Sequence, residues 1–265
     1  MPLFEIPFIA VFTLVLAFIF GTVLASFITC TAGRILAHED WTRGFSHCDT
    51  CGHQLGTADL FPVISYIALG GKCRYCGSRV PIRCLISEVL LGVVFVAIVL
   101  FHGRIDAVMV RNLMLAMLMM GISFCDIDGK IIHEGFVTAM LSIWIGALPF
   151  VPDLKLYIAD KVAACVVFCG AVMLVSYIRT SKGKDPLKPG FLKLMAVCLL
   201  YTGFFGGAGM LILTALLKGF VKPFKNTIVP AMSVCTLVFL CVADLVDTGL
   251  LYGYIPAILN YMRVF

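Results

Sequence analysis

Charge is scarce in this chain. Asp, Glu, Lys and Arg make up 13% of its 265 residues, against about 25% in an average soluble domain. Hydrophobic residues make up 61%, against about 45–50%. That balance excludes an ordinary soluble globule and indicates an all-α polytopic membrane protein with one sizeable polar segment. The net charge of +5 does not read as nucleic-acid affinity, because the cations gather in particular loops. A signal peptide's basic start is also lacking: Met1–Pro7 holds Glu5 and no Lys or Arg. The apolar run behind it is too long for a signal peptide and reads as a retained helix. There is no internal repeat and intramembrane acids are few, which argues against a transporter.

Runs without charge give the spans, since a hydrocarbon core of about 30 Å needs about 20 helical residues. They are Ile6–Gly33, Val89–Gly103, Asn112–Cys125, Gly135–Pro152, Val162–Ile178, Leu194–Leu217 and Asn226–Ala243. The sixth is ambiguous, because Gly203, Gly206, Gly207 and Gly209 can break it into two. Eight helices are preferred, since Lys218, Lys222 and Lys225 then join the other cation-rich loops on one side. Those loops hold Arg34, Arg43, Lys72, Arg74, Arg79 and Arg83, then Lys130, then Arg179, Lys182, Lys184, Lys188 and Lys193. The positive-inside rule assigns that side to the cytoplasm and the N-terminus to the outside. Three parts follow: a first transmembrane helix (1–33), a polar loop domain (34–85) and a helical membrane domain (86–265).

Of the twelve cysteines, eight lie in or beside apolar stretches and read as small buried hydrophobes. The other four form two pairs, Cys48-Asp49-Thr50-Cys51-Gly52 and Cys73-Arg74-Tyr75-Cys76-Gly77. Two C-x-x-C-G turns at this separation approach the pattern of a four-cysteine zinc site. Cytoplasmic thiols stay reduced, which favours metal over disulfide. Cys48, Cys51, Cys73 and Cys76 are therefore the expected ligands of a structural Zn²⁺, with His47 and His53 as possible substitutes. Two unrelated redox or structural pairs are the alternative reading.

The acids are the second feature. Phe124-Cys125-Asp126-Ile127-Asp128-Gly129-Lys130 puts Asp126 at the cytoplasmic end of the third span. A carboxylate there is costly and invites a functional explanation; a solvated helix end is the plainer one. Positions i and i+2 of a helix diverge, so Asp126 and Asp128 are not expected to act as a pair. Glu88 opens the second span, with Arg83 or Arg34 as expected partners.

These residues resemble a known family. Ser46–Leu55, Asp59–Tyr66 with its D-L-F-P-V-I-S-Y, and Gly71–Gly77 resemble the N-terminal domain of the type IV prepilin peptidases. Ala25-Ser26-Phe27, Arg34, Pro81, Arg83 and Glu88 extend the likeness, and Asp126-Ile127-Asp128 resembles the family's first aspartate motif. The resemblance implies eight helices and a cytoplasmic zinc-binding loop after the first. It further implies an aspartic endopeptidase in the bacterial inner membrane that removes leaders from type IV prepilins or pseudopilins, for pilus assembly or protein secretion. N-methylation with S-adenosylmethionine is a possible second activity, and no nucleic-acid partner is implied. Asp126 would be one of two catalytic carboxylates. The family's second aspartate precedes a V-K-L-like run, which here is Leu192-Lys193-Leu194, so its position holds Phe191. Asp185 is the nearest substitute, and Asp244 and Asp247 are expected toward the outer face. Thr29 and His133-Glu134 are further departures, where the family tends to Asn and to Pro-Asp. A degenerate, non-catalytic relative that binds pilin-assembly partners is the alternative.

Overall fold

A computed structural model describes residues 7–40, 44–151, 154–183, 189–220 and 227–247. Eight α-helices follow in order: α1 (Pro7–Leu36), α2 (Ile64–Ala68), α3 (Ile82–His102), α4 (Ala107–Gly129), α5 (Glu134–Ala147), α6 (Leu154–Ser181), α7 (Pro189–Phe220) and α8 (Val229–Asp247). There is no strand among the described residues beyond two isolated bridges, His47 with Gln54 and Lys72 with Arg79. α1, α3, α4 and α6 are long and apolar enough to cross a membrane, as is α7 when its whole length is counted; α5 and α8 are shorter apolar helices. The all-α polytopic membrane architecture is therefore present.

Lipid tails are as apolar as leucine, so membrane helices associate through close packing rather than through escape from water. The α1–α3 crossing illustrates this. A side chain at Gly21 would put its Cβ 2.7 Å from the Cα of Gly92, so the two backbones touch. Ala25, Leu91 and Phe95 close the core around that crossing. A second core joins α4, α5, α7 and α8 through Met119, Ile122, Met140, Leu194 and Met232.

The glycine break in the sixth apolar run is real. Gly203 lies inside α7 with φ 73° and ψ −165°, a conformation essentially confined to glycine. The chain doubles back there. Thr236 of α8 meets Met210 and also Cys198, from opposite sides of Gly203. Thr214 reaches Cys235, while Gly206 and Gly209 face Phe239. The second half of α7 thus runs antiparallel to α8. Its first half runs beside α5, with Lys193 at Glu134 and Tyr201 at Met140. Seven apolar runs become eight packed segments, the number expected.

Helix starts differ from the charge-free runs for one reason: charged side chains with partners ride inside helices. α3 begins at Ile82 rather than Val89 and takes in Arg83 and Glu88, which bond to Asp128 and to the Val63 amide. α6 begins at Leu154 rather than Val162. Its Asp160 accepts the Phe204 amide at 3.3 Å. α7 begins at Pro189, where a proline ring suits a first turn whose N–H is unbonded anyway.

Candidate metal centre and acid motif

Each cysteine pair is held by its own tight turn. In the first, Gly52 N–H donates to Cys48 O at 2.8 Å and Cys48 N–H to His53 O at 3.0 Å. In the second, Gly77 N–H donates to Cys73 O at 3.0 Å and Cys73 N–H to Ser78 O at 2.8 Å. Gly52 and Gly77 sit at φ 68° and 71°, where a side chain would be strained. The turns bring all four Sγ atoms within 4.8 Å of one another. Cys48 Sγ and Cys76 Sγ are 3.8 Å apart. Four Zn–S bonds of about 2.3 Å in a tetrahedron put the sulfurs about 3.8 Å apart, so the donor set fits a Zn²⁺ ion. His53 instead packs against Tyr75, ring centroids 3.6 Å apart and planes tilted by 35°, and His47 Nδ1 lies 3.4 Å from Phe45 O.

The thiols differ in acidity. Backbone hydrogen bonds from Cys51 and Thr50, helped by the Ser78 hydroxyl, lower Cys48 to about 6. Cys51 has a lowering backbone bond at His53, but burial and the neighbouring sulfurs of Cys76 and Cys48 outweigh it and raise the thiol to about 11. Four thiolates repel one another without a cation, whereas a bound dication deprotonates its thiol ligands outright. Exposed Lys72, Arg74 and Arg79 flank the site.

Asp59 ties the centre of the loop to the second turn. It accepts Arg74 Nε at 2.6 Å, Tyr75 Oη at 3.2 Å and the Gly56 amide at 3.1 Å. The Arg74 guanidinium holds its carboxyl below the usual carboxylate range.

The acid motif lies on the same end of the molecule. Arg83, at the start of α3, donates to both carboxylate oxygens of Asp128, at the end of α4, at 3.0 and 2.9 Å. Asp126, one half-turn deeper, is half-buried and accepts the Val229 amide at 3.2 Å. The two aspartates therefore diverge as their spacing required, one to α3 and one to the start of α8. Glu88 pairs with neither Arg83 nor Arg34; its Oε2 accepts the Val63 amide at 2.7 Å. That partner had no signal in sequence spacing, nor had Val229 for Asp126.

Phe191 is half-buried against the core of α4, α5, α7 and α8. Its neighbour Lys193 forms an ion pair with Glu134. Asp185 lies outside the described residues. Asp244 and Asp247 belong to the last turns of α8; at 1.5 Å per residue their backbone is about 22 and 27 Å from Val229, too far to face Asp126. A groove between α6 and α7 is lined by Val172, Tyr177 and Leu192 with Ser176 and Thr180, and no charged side chain among the described residues lines it.

Residues 19–102 match the family described as the Bacterial Peptidase A24 N-terminal domain. The chain is 31% identical over 122 residues to a prepilin leader peptidase/N-methyltransferase of Myxococcus xanthus, covering 46% of this chain and 35% of that protein. It is 27% identical over 175 residues to one of Pseudomonas putida, covering 65% of this chain and 58% of that protein. It is 34% identical over 80 residues to one of Bacillus subtilis, covering 30% and 32%. The chain therefore carries this family's N-terminal domain over residues 19–102 and is similar to prepilin leader peptidase/N-methyltransferases over a longer stretch. It spans between about a third and about three fifths of the length of these relatives. No solved structure matches it. The matched domain takes in both cysteine turns, Arg83 and Glu88, and ends where α3 ends.

Proposed function

We propose that this protein is a bacterial inner-membrane leader peptidase of aspartic type that acts on type IV prepilins or pseudopilins, with Asp126 as one catalytic carboxylate. The observation that carries the reading is the Arg83–Asp128 ion pair, because it holds the cysteine module and the acid motif at one mouth of the bundle. Zn²⁺ on Cys48, Cys51, Cys73 and Cys76 supplies no step: a closed four-thiolate site has no open position, so the metal folds the loop. The mechanism asks for two carboxylates sharing a proton. One draws the proton from a water, and the other donates to the scissile carbonyl oxygen. Asp126 is one of them, and Asp185, in the segment that leads into α7, is the candidate for the other. Lysine and arginine bias assigns this mouth to the cytoplasm and the N-terminus to the outside. Methylation of the new N-terminus, with S-adenosylmethionine as donor, is kept as a secondary activity on the strength of the relatives' names.

The test is co-expression with a prepilin, reading leader removal on a gel. Wild type cleaves, and Asp126→Asn and Asp185→Asn each slow cleavage by about 10²- to 10⁴-fold, the usual worth of a positioned acid or base. Cleavage by both variants at the wild-type rate would sink the assignment.

Phe191 favours a second reading, a non-catalytic relative that binds prepilin or an assembly partner. On that reading the wild type leaves the leader intact while still co-purifying with the prepilin, and Phe191→Asp restores cutting. Cleavage by the wild type rules it out.

A further inference from the structure

The polar module does not simply rest on the bundle; one part of it reaches down alongside α3. The Val63 amide donates to Glu88 at 2.7 Å, and Glu88 is 9% exposed. Glu88 lies five residues past Arg83 on α3, and Arg83 pairs with the exposed Asp128 at the end of α4. A glutamate side chain leans back toward the N-terminus of its helix, so the Val63 amide lies beside the first turns of α3. The turn there is tight. Ile64 N–H donates to Pro62 O at 2.5 Å, with Val63 at φ 61° and ψ −51°. A β-branched residue in that conformation persists only where its surroundings over-determine it, and the Glu88 carboxylate supplies the restraint.

The turn delivers the chain into α2, whose Ile64 and Ile67 are exposed three residues apart, with Phe61 exposed just before the turn. Phe61, Ile64 and Ile67 are 61%, 65% and 68% exposed. α3 carries a matching outward stripe of Ile82, Ile86, Leu90 and Val93, between 51% and 64% exposed. A spanning helix turns such a stripe to lipid. The Glu88 latch holds the turn into α2 against the first turns of α3, where the α3 stripe begins. Lys72 and Arg79 are exposed in the same module, a charge that suits anionic headgroups, while Arg74 and Arg83 are paired with Asp59 and Asp128.

We infer that α2 is an interfacial helix. It lies in the boundary between headgroups and acyl chains, and with the Glu88 latch it seats the cysteine module on an anionic bilayer surface. This holds independently of peptide cleavage, because it uses only the module, α3 and lipid.

The experiment places the full chain in nanodiscs of phosphatidylcholine and phosphatidylglycerol, in a Trp41→Phe, Trp144→Phe background. Single tryptophans are introduced as Ile64→Trp or Ile67→Trp, with Gln54→Trp on the first cysteine turn as control. Acyl-brominated lipid is expected to quench positions 64 and 67 at least about twofold more than position 54, as for a helix whose apolar face lies about 5–10 Å into the boundary. Glu88→Ala should bring both down to the control level, and Glu88→Gln, which keeps the acceptor, should not. Zinc content certifies each variant, and Phe61→Trp, at the exposed residue just before the turn into α2, replaces either one that loses its metal. Strong acrylamide quenching at 64 and 67 with none from brominated lipid would overturn the inference. So would shielding of these positions that appears only when a prepilin is added, which would assign the face to a protein partner.

Discussion

Asp106 illustrates how a single side chain holds a helix end here. It is the N-cap of α4, accepting the Met109 amide at 2.9 Å and His102 Nε2 at 2.8 Å. Burial alone would raise its carboxyl, but the Met109 amide, His102 and Arg104 outweigh that and hold it below the usual range. A carboxyl depressed on folding stabilises above its unfolded value of about 3.9 and loses that contribution as the pH falls through the folded value. Asp106→Ala should therefore cost about 1 kcal/mol at neutral pH, measured by denaturant unfolding in detergent, and the gap from wild type should close on acidification. At this scale the cysteines were fully legible in the sequence, because a C-x-x-C-G turn is a local object whose geometry follows from five residues. Asp126 was legible as a place but not as a contact. Its partner Val229 is 103 residues away, and no spacing rule reaches that far. Glu88 was assigned to an arginine because charge suggests charge, whereas the buried carboxylate accepts a backbone amide.

Among the elements, α7 is the one whose form depends most on a single position. At Gly203 an added Cβ would collide with the side chains of Asp160 and Lys161, at a backbone conformation only glycine tolerates. Gly203→Ala should destabilise the protein by about 1–3 kcal/mol, read as a lower unfolding midpoint in detergent, whereas Gly219→Ala, with nothing near its Cβ, should leave the midpoint in place. The glycine cluster signalled the break, and the lysines after it decided between one segment and two. Helix boundaries were less legible. Charge-free windows stop at the first ion, whereas a helix continues as long as its ions have partners, as Arg83, Glu88 and Asp160 do. The short α2 left no trace in the hydropathy, because five residues inside a polar loop are too few to register a period.

At the scale of the whole molecule, the module and the bundle are one assembly. Zinc analysis of the purified chain should find about one equivalent, and Cys73→Ser, at the buried cysteine of the four, should remove most of it. The same variant should expose the 44–81 segment to protease while leaving the helices intact, since the bundle has its own cores. The eight-segment plan was readable from hydropathy and cation placement together. The joining of module to acid motif was not, because it rests on long-range pairs such as Arg83 with Asp128. The backbone contact between Gly21 and Gly92 bears on the metal as well. α1 and α3 are the two posts from which the cysteine loop hangs, and where their backbones touch they fix the distance between its ends. Closing a free loop of that length costs about 3 kcal/mol in chain entropy. In this protein the bundle meets that cost before any ion arrives, so a peptide cut out at residues 44–81 should hold zinc about a hundredfold more weakly than the intact chain does.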